Sequence, residues 1–369
     1  VQTGYPMSDI DLSIVSHVNH AFAWPDEQGS IHSYDGMFSV SNSQVIHDGG
    51  GKLLLSIGGG GNELGFSSIA ASNILRSIFI QNLLSICDIY GYDGIDINWE
   101  HPISEDDREN LNLLISEIDS SFEIYNDELL ITMAIPISNW FGQWYDFLFL
   151  TEYVDFFNVM TYNIHGSWSE DAGHNSPLFQ SPPGDPDGSC VTAINYLTIT
   201  REIPSSKLNL GLPFWGKKYI ATDINEPFEG EVDDIWYYEI QDMIGNGWDY
   251  QWDSNAFCPY LIRSNQLEII TYDDEESIGY KCQYANSEDL GGVMIWALGY
   301  DSFNDTQELL ESIGSNYLNL SKDYSMMPSQ ILLKTYPNPF NHSSIIEYEV
   351  YNNDFFNMDL YSIKGQYID

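Results

Sequence analysis

Basic residues are scarce in this chain. Of its 369 residues, 12 are Lys or Arg and 55 are Asp or Glu, which gives a formal net charge of −43. Nucleic-acid binding depends on clustered Lys and Arg that neutralise phosphates, and anionic membrane surfaces attract the same residues. The composition therefore excludes both as partners. We expect the acidic surface to keep the protein soluble in salty surroundings, with attraction of cationic ligands as a second possible role.

Long apolar runs are also missing. No run reaches about 18 apolar residues, the length that a membrane-spanning helix needs. We therefore expect no insertion into a membrane. The chain begins at Val1 with neither a secretory signal nor an initiator Met, so we expect a cut or processed N terminus.

Cysteine is rare and dispersed. The four cysteines show no C-x-x-C spacing and no clustering with histidine, and they are Cys87, Cys190, Cys258 and Cys282. This pattern argues against zinc, so we expect no metal and no cofactor. One or two disulfides and free buried thiols are both compatible with the sequence.

Aromatic residues are abundant, with 25 Tyr, 18 Phe and 10 Trp. Aromatic faces pack against the apolar C–H faces of sugar rings, although a large core also consumes aromatic residues. A hydrophobic content of 43% is enough for one large core with a small appendage. The composition is thus compatible with a carbohydrate-binding cleft.

Apolar segments alternate with helical stretches along most of the chain. The spacing of Leu111, Leu114, Ile115 and Ile118 predicts a helix over residues 105–120. Strands separated by helices indicate βαβ units and a mostly parallel sheet. The predicted strands cover residues 17–23, 52–59, 129–136, 156–162, 207–214 and 292–298.

The most informative segment covers residues 92–100, Tyr-Asp-Gly-Ile-Asp-Ile-Asn-Trp-Glu. Side chains alternate between the two faces of a strand, so Asp96, Asn98 and Glu100 project to one side. The opposite face carries Ile95, Ile97 and Trp99. Each unpaired polar group in a core costs roughly 1–3 kcal/mol, so a binding or catalytic site explains the polar stripe better than a solvated edge strand does.

This segment resembles the signature of family 18 glycoside hydrolases, the chitinases, which read Asp-Gly-x-Asp-x-Asp-x-Glu on the fourth strand of a TIM barrel. Two residues depart from the family pattern, because Asn98 and Asn163 stand where the family has Asp. Further segments resemble the family's third, fifth, sixth, seventh and eighth strands, and they cover residues 56–59, 132–136, 160–168 with 173–178, 211–216 and 291–296.

The resemblance implies an α/β fold, a TIM (β/α)8 barrel over residues 1–313. Residues 217–290, between the seventh and eighth strands, are too many for an ordinary βα connection, and they resemble a small α+β insertion domain that deepens the cleft. The first barrel strand is hard to find, because Val1 to Tyr5 is short and polar. A barrel that lacks a strand has an open edge and is prone to aggregate.

The C-terminal part of the chain differs in composition. Residues 314–330 are rich in Asn, Ser, Lys and Met and are predicted to be a linker. Residues 331–369 resemble the start of the C-terminal sorting domain of the type IX secretion system of Bacteroidetes-like bacteria, a β-sandwich module. We therefore expect a truncated sorting domain and a protein that is secreted or held at the cell surface. A β-type carbohydrate-binding module is the alternative.

The resemblance also implies residue roles. Glu100 would be the general acid, and the substrate's own 2-acetamido group would attack the anomeric carbon, so that the mechanism is substrate-assisted and retaining. Tyr162 would hold the acetamido carbonyl, with Asp96 and Asn98 completing the catalytic set. Substrate contacts are expected from Asp93, Met160, Asn163, Trp168, Phe22, Trp296, Trp99 and Tyr272.

The substitution at Asn98 has two expected effects. Its amide oxygen still accepts a hydrogen bond but carries no full charge, and a preorganised charge is worth roughly 2.7–4 kcal/mol in the transition state. Turnover of order a hundredfold slower follows. Loss of a nearby negative charge also lowers the pKa of Glu100, so we expect activity at acidic pH.

The function expected is that of a monomeric, secreted chitinase acting on β-1,4-linked N-acetylglucosamine. Two alternatives stay open: an endo-β-N-acetylglucosaminidase acting on N-glycans, and a chitin-binding lectin on a weakly active or inactive barrel. The isolated histidines His20, His101 and His165 are interpreted as structural, with no metal set around them.

Overall fold

The computed structural model describes residues 5–263, 265, 267–301 and 307–317, together with the backbone of four short strands beyond residue 331. The chain divides into two compact units, Val1–Ser321 and Lys322–Asp369.

The first unit contains thirteen strands and ten α-helices among its described residues. The strands are β1 His17–Pro25, β2 Ile31–His32, β3 Lys52–Gly58, β4 Gly94–Asn98, β5 Leu130–Ile135, β6 Phe156–Val159, β7 Leu208–Pro213, β8 Trp215–Ala221, β9 Phe228–Trp236, β10 Asp249–Asp253, β11 Cys258–Arg263, β12 Glu268–Thr271 and β13 Gly292–Trp296. The helices are α1 Val40–Asp48, α2 Phe66–Ala71, α3 Asn73–Tyr90, α4 Glu105–Tyr125, α5 Asn139–Gly142, α6 Phe147–Leu150, α7 Cys190–Asn195, α8 Tyr237–Met243, α9 Glu275–Ser287 and α10 Glu308–Asn316.

A curled, mostly parallel sheet forms the centre of this unit. Its strand order is β13-β7-β6-β5-β4-β3-β1-β2, and every pair is parallel except β1 with β2. Strand β3 is buried along nearly its whole length, as expected for a parallel strand covered by helices. Because the strands are parallel, their carboxyl ends meet at one mouth, where barrel active sites lie.

The connection from α3 to β4 shows how the sequence positions the signature strand. Helix α3 ends at Gly91, whose φ of 74° is the left-handed conformation that glycine adopts readily. The Asp93 carboxylate then accepts the Leu53 amide at 2.7 Å. This contact fixes β4 beside β3, with Ser56 opposite Asp96.

Helix α4 returns the chain along the outside of the sheet. Ser104 caps its N terminus by accepting the Asp107 amide at 3.0 Å, and three acidic residues occupy the first turn. Both features favour a helix start, because they complement the unpaired N–H groups and the positive end of the dipole. The helix extends to Tyr125, beyond the predicted residue 120.

A second, antiparallel sheet occupies the chain between β7 and β13. Its order is β10-β11-β12-β8-β9, and helix α8 lies between β9 and β10 in sequence. Its core contains Tyr219, Ala221 and Ile269 together with Ala172 from the loop after β6. Apart from Trp215 and Gly216 at the start of β8, this sheet lies within the range 217–290 in which the sequence predicted an insertion.

The structure bears on several other expectations. Residues 5–16 contain a short 3-10 helix, Met7–Asp9, and no strand; residues 1–4, where the first strand was sought, lie outside the described residues. All four cysteines are buried free thiols. Of the helices in the described part of the chain, none has both the length and the apolar character needed to cross a membrane.

The predicted linker and sorting domain lie mostly outside the described residues. Helix α10 runs to Asn316, a little past the predicted boundary at residue 313. The second unit shows two antiparallel strand pairs, Leu332–Tyr336 with Ile345–Glu349 and Leu360–Tyr361 with Tyr367–Ile368.

Candidate active site

A buried carboxylate lies inside the barrel. Asp96 accepts hydrogen bonds from Ser56 Oγ and Thr132 Oγ1, each at 2.7 Å, and from Asn158 Nδ2 at 3.1 Å. Strand register produces this arrangement, because Ser56 and Thr132 are the neighbours of Asp96 on β3 and β5. Burial raises the pKa of Asp96, while the three donors act in the opposite direction.

Asn98 and Glu100 follow Asp96 toward the mouth of the barrel. The Asn98 side chain and the Gly60 amide both donate hydrogen bonds to the Glu100 carboxylate. Since only the amide nitrogen of Asn98 carries hydrogens, its Oδ1 is left as an acceptor. That buried oxygen has no hydrogen-bond partner among the described residues, so it is available to accept from a ligand.

The surroundings of Glu100 favour its neutral form. Burial is the largest cause of a pKa raised to about 7, and the charges of Glu63 and Asp96 act in the same direction. The hydrogen bonds from Asn98 and Gly60 oppose this shift. Desolvation therefore outweighs the lowering that the missing carboxylate at position 98 was expected to cause in the pKa of Glu100.

Tyr162 comes shortly after β6 and reaches the same region. Its ring meets the Trp215 ring edge to face, with centroids 6.1 Å apart. A Cβ at Gly211 would lie 3.1 Å from the Tyr162 ring, so the glycine provides the room for it. Burial and then the charge of Glu100 raise the pKa of Tyr162. Its hydroxyl therefore stays protonated and can donate a hydrogen bond.

Two aromatic rings from separate strands stack beside this group. The Phe22 ring on β1 and the Trp296 ring on β13 lie with centroids 5.1 Å apart. A Cβ at Gly59 would lie 2.6 Å from the Phe22 ring, which explains why glycine is needed there. Phe22 and Trp296 are both partly exposed, so they offer an apolar surface to a sugar ring.

The loop after β6 carries the next three predicted contact residues. Met160 donates its amide to the Ile135 carbonyl at 3.1 Å. Asn163 is exposed and donates its amide to Asn175 Oδ1 at 3.0 Å. Trp168 is 61% exposed, with Lys217 Nζ 5.7 Å from its ring centroid.

Three predicted contact residues are buried or lie away from the barrel mouth. Asp93 precedes β4 and so lies at the opposite end of the barrel, where it pairs with His47 at 2.8 Å. Trp99 is 2% exposed and stacks on Phe66 with centroids 5.5 Å apart. Tyr272 is 2% exposed, and its ring packs near that of Tyr237. Trp99 and Tyr272 therefore present almost no surface in this structure, whereas Asp93 is partly exposed away from the mouth.

The sequence interpretation missed the partners of the catalytic residues. Ser56 and Thr132 occupy inward positions of predicted strands, so the period of two could have identified them. Asn158 is the third partner of Asp96 and also lies on a predicted strand. The contribution of Gly60 comes from a backbone amide, and no side-chain pattern signals such a contact.

Two of the isolated histidines have structural partners. His20 Nδ1 lies 2.9 Å from the Tyr92 hydroxyl, and His101 Nδ1 lies 3.1 Å from the Tyr145 hydroxyl. Burial lowers the pKa of each histidine to about 4. Both rings are therefore neutral over most of the physiological range.

The barrel mouth thus combines a protonatable carboxyl, a buried amide acceptor, a tyrosine donor and stacked aromatic rings. This combination on a parallel barrel defines a TIM-barrel glycosidase. The profile of glycosyl hydrolases family 18 matches residues 2–301. The chain belongs to this family.

Individual proteins support the assignment. A probable endochitinase from Caenorhabditis elegans is 31% identical over 332 residues, which cover 80% of this chain and 53% of that protein. This chain therefore spans about half the length of that relative.

Two solved structures are also similar. The Ostrinia furnacalis Group IV chitinase, in complex with allosamidin, is 28% identical with a TM-score of 0.78, covering 85% of this chain and 94% of that one. A chitinase-like agglutinin from Robinia pseudoacacia is 27% identical with a TM-score of 0.76, covering 85% and 97%.

Proposed function

We propose that this glycoside hydrolase is a chitinase that cleaves β-1,4 linkages between N-acetylglucosamine units by a substrate-assisted, retaining mechanism. The observation that carries the proposal is the place of Glu100, a buried carboxyl at the barrel mouth whose pKa burial raises to about 7. A carboxyl with this pKa keeps a substantial neutral fraction near neutral pH and can deliver a proton to the glycosidic oxygen. Its place at the mouth of a barrel strand suits this role.

Three residues act in the first step, the cleavage of the glycosidic bond. Glu100 protonates the glycosidic oxygen while the carbonyl oxygen of the 2-acetamido group attacks the anomeric carbon and the glycosidic bond breaks. The Tyr162 hydroxyl donates to that carbonyl oxygen and orients it. Asn98 Oδ1, which has no partner among the described residues, accepts the acetamido N–H.

The second step restores the acid. The cyclic oxazolinium formed in the first step is opened by water at the anomeric carbon, and the Glu100 carboxylate takes the proton from that water. Two displacements at the same carbon retain its configuration. Asp96 lies one step deeper in the barrel, and its three donors hold it in place beneath Asn98.

Substrate binding would use apolar and polar surfaces along the mouth. The Phe22–Trp296 stack would support the sugar at the cleavage point, and the exposed Trp168 ring would contact a sugar further along. We further propose that the antiparallel sheet of β8 to β12 is an insertion domain that grips several sugars. The expected ligand is a chitin or chitooligosaccharide chain bound to a monomer.

Export is part of the proposal. The sequence of residues 331–369 resembles a type IX sorting domain, and chitin is an insoluble polymer found outside cells. We propose that the protein is secreted or held on the cell surface. Detection of the protein in the medium of its own host, dependent on residues 331–369, tests this.

A second candidate function is chitin binding without cleavage. Asn98 favours it, because the family carries Asp at this position, and the similar agglutinin offers a precedent for a binding protein on this fold. Glu100 argues against it, since a lectin has no need of a protonatable carboxyl.

The deciding experiment is hydrolysis of the hexamer of N-acetylglucosamine by the wild type and by Glu100→Gln, from about pH 4 to 8. We expect turnover by the wild type that declines as pH rises through about 7, and none by the variant. Tight binding by both proteins without turnover by either would favour the lectin. Cleavage of N-glycans in preference to the hexamer would favour the endo-β-N-acetylglucosaminidase.

A further inference from the structure

A buried imidazole lies against two carboxylates in the loop between β6 and α7. His165 Nε2 is 2.8 Å from Asp185 Oδ2 and 3.8 Å from Asp187 Oδ2. The three ligand-capable atoms all lie within 4.8 Å of one another. The side chains of His165 and Asp185 are 6% and 7% exposed, and that of Asp187 is 28% exposed. His165 is therefore not isolated, as the sequence interpretation had it, but lies against two carboxylates.

The other ring nitrogen fixes the orientation of the imidazole. His165 Nδ1 lies 2.9 Å from the carbonyl oxygen of His174. A carbonyl oxygen only accepts, so Nδ1 must carry a proton. In a neutral ring, Nε2 then presents its lone pair toward Asp185. Metal-binding histidines show this arrangement, with one nitrogen donating to a backbone carbonyl and the other facing the ion.

The cluster contains two carboxylates but only one side chain that can carry a positive charge. Two carboxylates carry two negative charges, and a protonated His165 would neutralise only one of them. Among the described residues, Asp185 and Asp187 form an ion pair with His165 alone and with no Lys or Arg. The Ser169 hydroxyl donates to Asp187 and the Asp187 amide donates to Asp185, which offsets part of this charge. Burial of the remainder is costly. A divalent cation beside a neutral imidazole would balance both carboxylates.

A buried hydroxyl without a partner lies within electrostatic range of the same cluster. Tyr219 is fully buried, and its hydroxyl oxygen faces the Gly173 amide, which leaves the hydroxyl proton without an acceptor among the described residues. A Cβ at Gly173 would lie 2.1 Å from the His165 ring, so this glycine separates Tyr219 from the imidazole. Among the charged groups, Asp187 contributes most to the raised pKa of Tyr219.

The donor types favour one ion over the other common cations. Zinc binds nitrogen and carboxylate oxygen at about 2.0–2.2 Å, which places tetrahedral ligand atoms roughly 3.3–3.5 Å apart. The observed 2.8 and 3.8 Å lie on either side of that value. Imidazole also favours zinc over calcium and magnesium, which prefer oxygen ligands. We propose that His165, Asp185 and Asp187 bind a Zn²⁺ ion.

The ion would tie together the two ends of a long loop. His165 lies shortly after β6, and Asp185 and Asp187 lie shortly before α7, which begins at Cys190. Trp168 is three residues beyond His165 in the same loop. Zinc would therefore stabilise the loop that presents Trp168, which is a structural role that does not depend on the proposed reaction.

The test is calorimetric titration of EDTA-treated, dialysed full-length protein with ZnCl₂. The variant Asp187→Asn removes the most exposed of the three ligands at constant size. The matched control is Asp171→Asn, an exposed aspartate of the same loop. We expect one Zn²⁺ per chain for the wild type and the control, and an affinity at least about tenfold weaker for Asp187→Asn. CaCl₂ should bind far more weakly than ZnCl₂.

Two further readouts accompany the titration. Zn²⁺ should raise the melting temperature of the wild type and of Asp171→Asn but not that of Asp187→Asn. Co²⁺ should give the visible d–d absorption of a low-symmetry site. Absence of Zn²⁺ binding by the wild type, or equal binding by Asp187→Asn, would overturn the proposal in favour of a buried imidazolium–carboxylate pair. Neither result depends on hydrolysis of chitin.

Discussion

Glu100 links stability to pH at the scale of a single residue. Its pKa in the folded protein is about 7, against an ordinary value of 4.5. A raised pKa means that the folded state holds the proton more tightly than the unfolded state does. The contribution of Glu100 to stability is therefore complete below about pH 4.5 and is lost as pH rises through about 7.

Glu100→Gln should consequently stabilise the protein at neutral and higher pH. Gln stays neutral, so it does not incur the cost of an ionised, buried side chain. We expect the melting temperature of the variant to exceed that of the wild type by a margin that grows from about pH 4 to pH 8. Differential scanning calorimetry measures this, with the exposed Glu128→Gln as control. A margin independent of pH would contradict the raised pKa.

Asn98→Asp should increase turnover, at the same scale. The new carboxylate places negative charge beside the developing cation, and such a charge is worth roughly 2.7–4 kcal/mol, or about a hundredfold to a thousandfold in rate. An ionised Asp cannot donate to Glu100, so the pKa of Glu100 should also rise and the active range extend to higher pH. Rates of hexamer hydrolysis across pH measure both effects. Equal or slower turnover would count against the role given to Asn98.

The alternation of side chains along β4 was predictable from the sequence. Alternation along β4 placed Asp96, Asn98 and Glu100 on one face, since the period of two is a property of the backbone. The same alternation turned Trp99 outward, into a buried stack with Phe66. Asp93 precedes the strand and so lies away from the mouth.

At the scale of elements, the end of β3 determines where Asn98 lies. Gly58 is opposite Asn98 in the register, with a φ of 109°, and a Cβ there would lie 2.2 Å from the Asn98 backbone oxygen. Gly61 in the following loop has a φ of 84°, and a Cβ added to it would meet no atom within 4 Å. An alanine at either position would strain the backbone, but only an alanine at position 58 would also crowd Asn98.

Gly58→Ala should lower both stability and turnover. Backbone strain and overpacking together predict a loss of about 2–5 kcal/mol, with Asn98 displaced from Glu100. Gly61→Ala should show only the strain, about 1–3 kcal/mol, with turnover near that of the wild type. Urea unfolding and hexamer hydrolysis measure the two quantities. Equal effects of both substitutions would show that crowding at Asn98 is unimportant.

Elements were predicted more completely than the contacts made by loops. The cores of seven parallel strands follow from apolar runs and spacing, whereas β6 ends at Val159, short of the predicted residue 162. The cluster of His165 with Asp185 and Asp187 depends on the path of a long loop. Sequence separation does not reveal such a path, because loop backbone has no repeating pattern.

At the scale of the whole molecule, the net charge of −43 acts on the folded state. Many like charges on a compact surface repel one another, and salt screens them over a Debye length of about 10 Å at 0.1 M. We expect the melting temperature to rise between low salt and about 0.2 M NaCl. Scanning calorimetry in NaCl, with sucrose of equal osmolality as control, measures this. A melting temperature insensitive to NaCl would contradict it.

The stacked pair of Phe22 and Trp296 has a consequence for the barrel itself. These rings belong to β1 and β13, which share no backbone ladder among the described residues. A sugar that packs on the pair touches both strands at once. Its binding free energy is then coupled to the closure of the barrel, and the coupling is reciprocal. Sugar binding should therefore stabilise the closed barrel of the chitinase. Any change that moves β1 away from β13 should in turn weaken sugar binding.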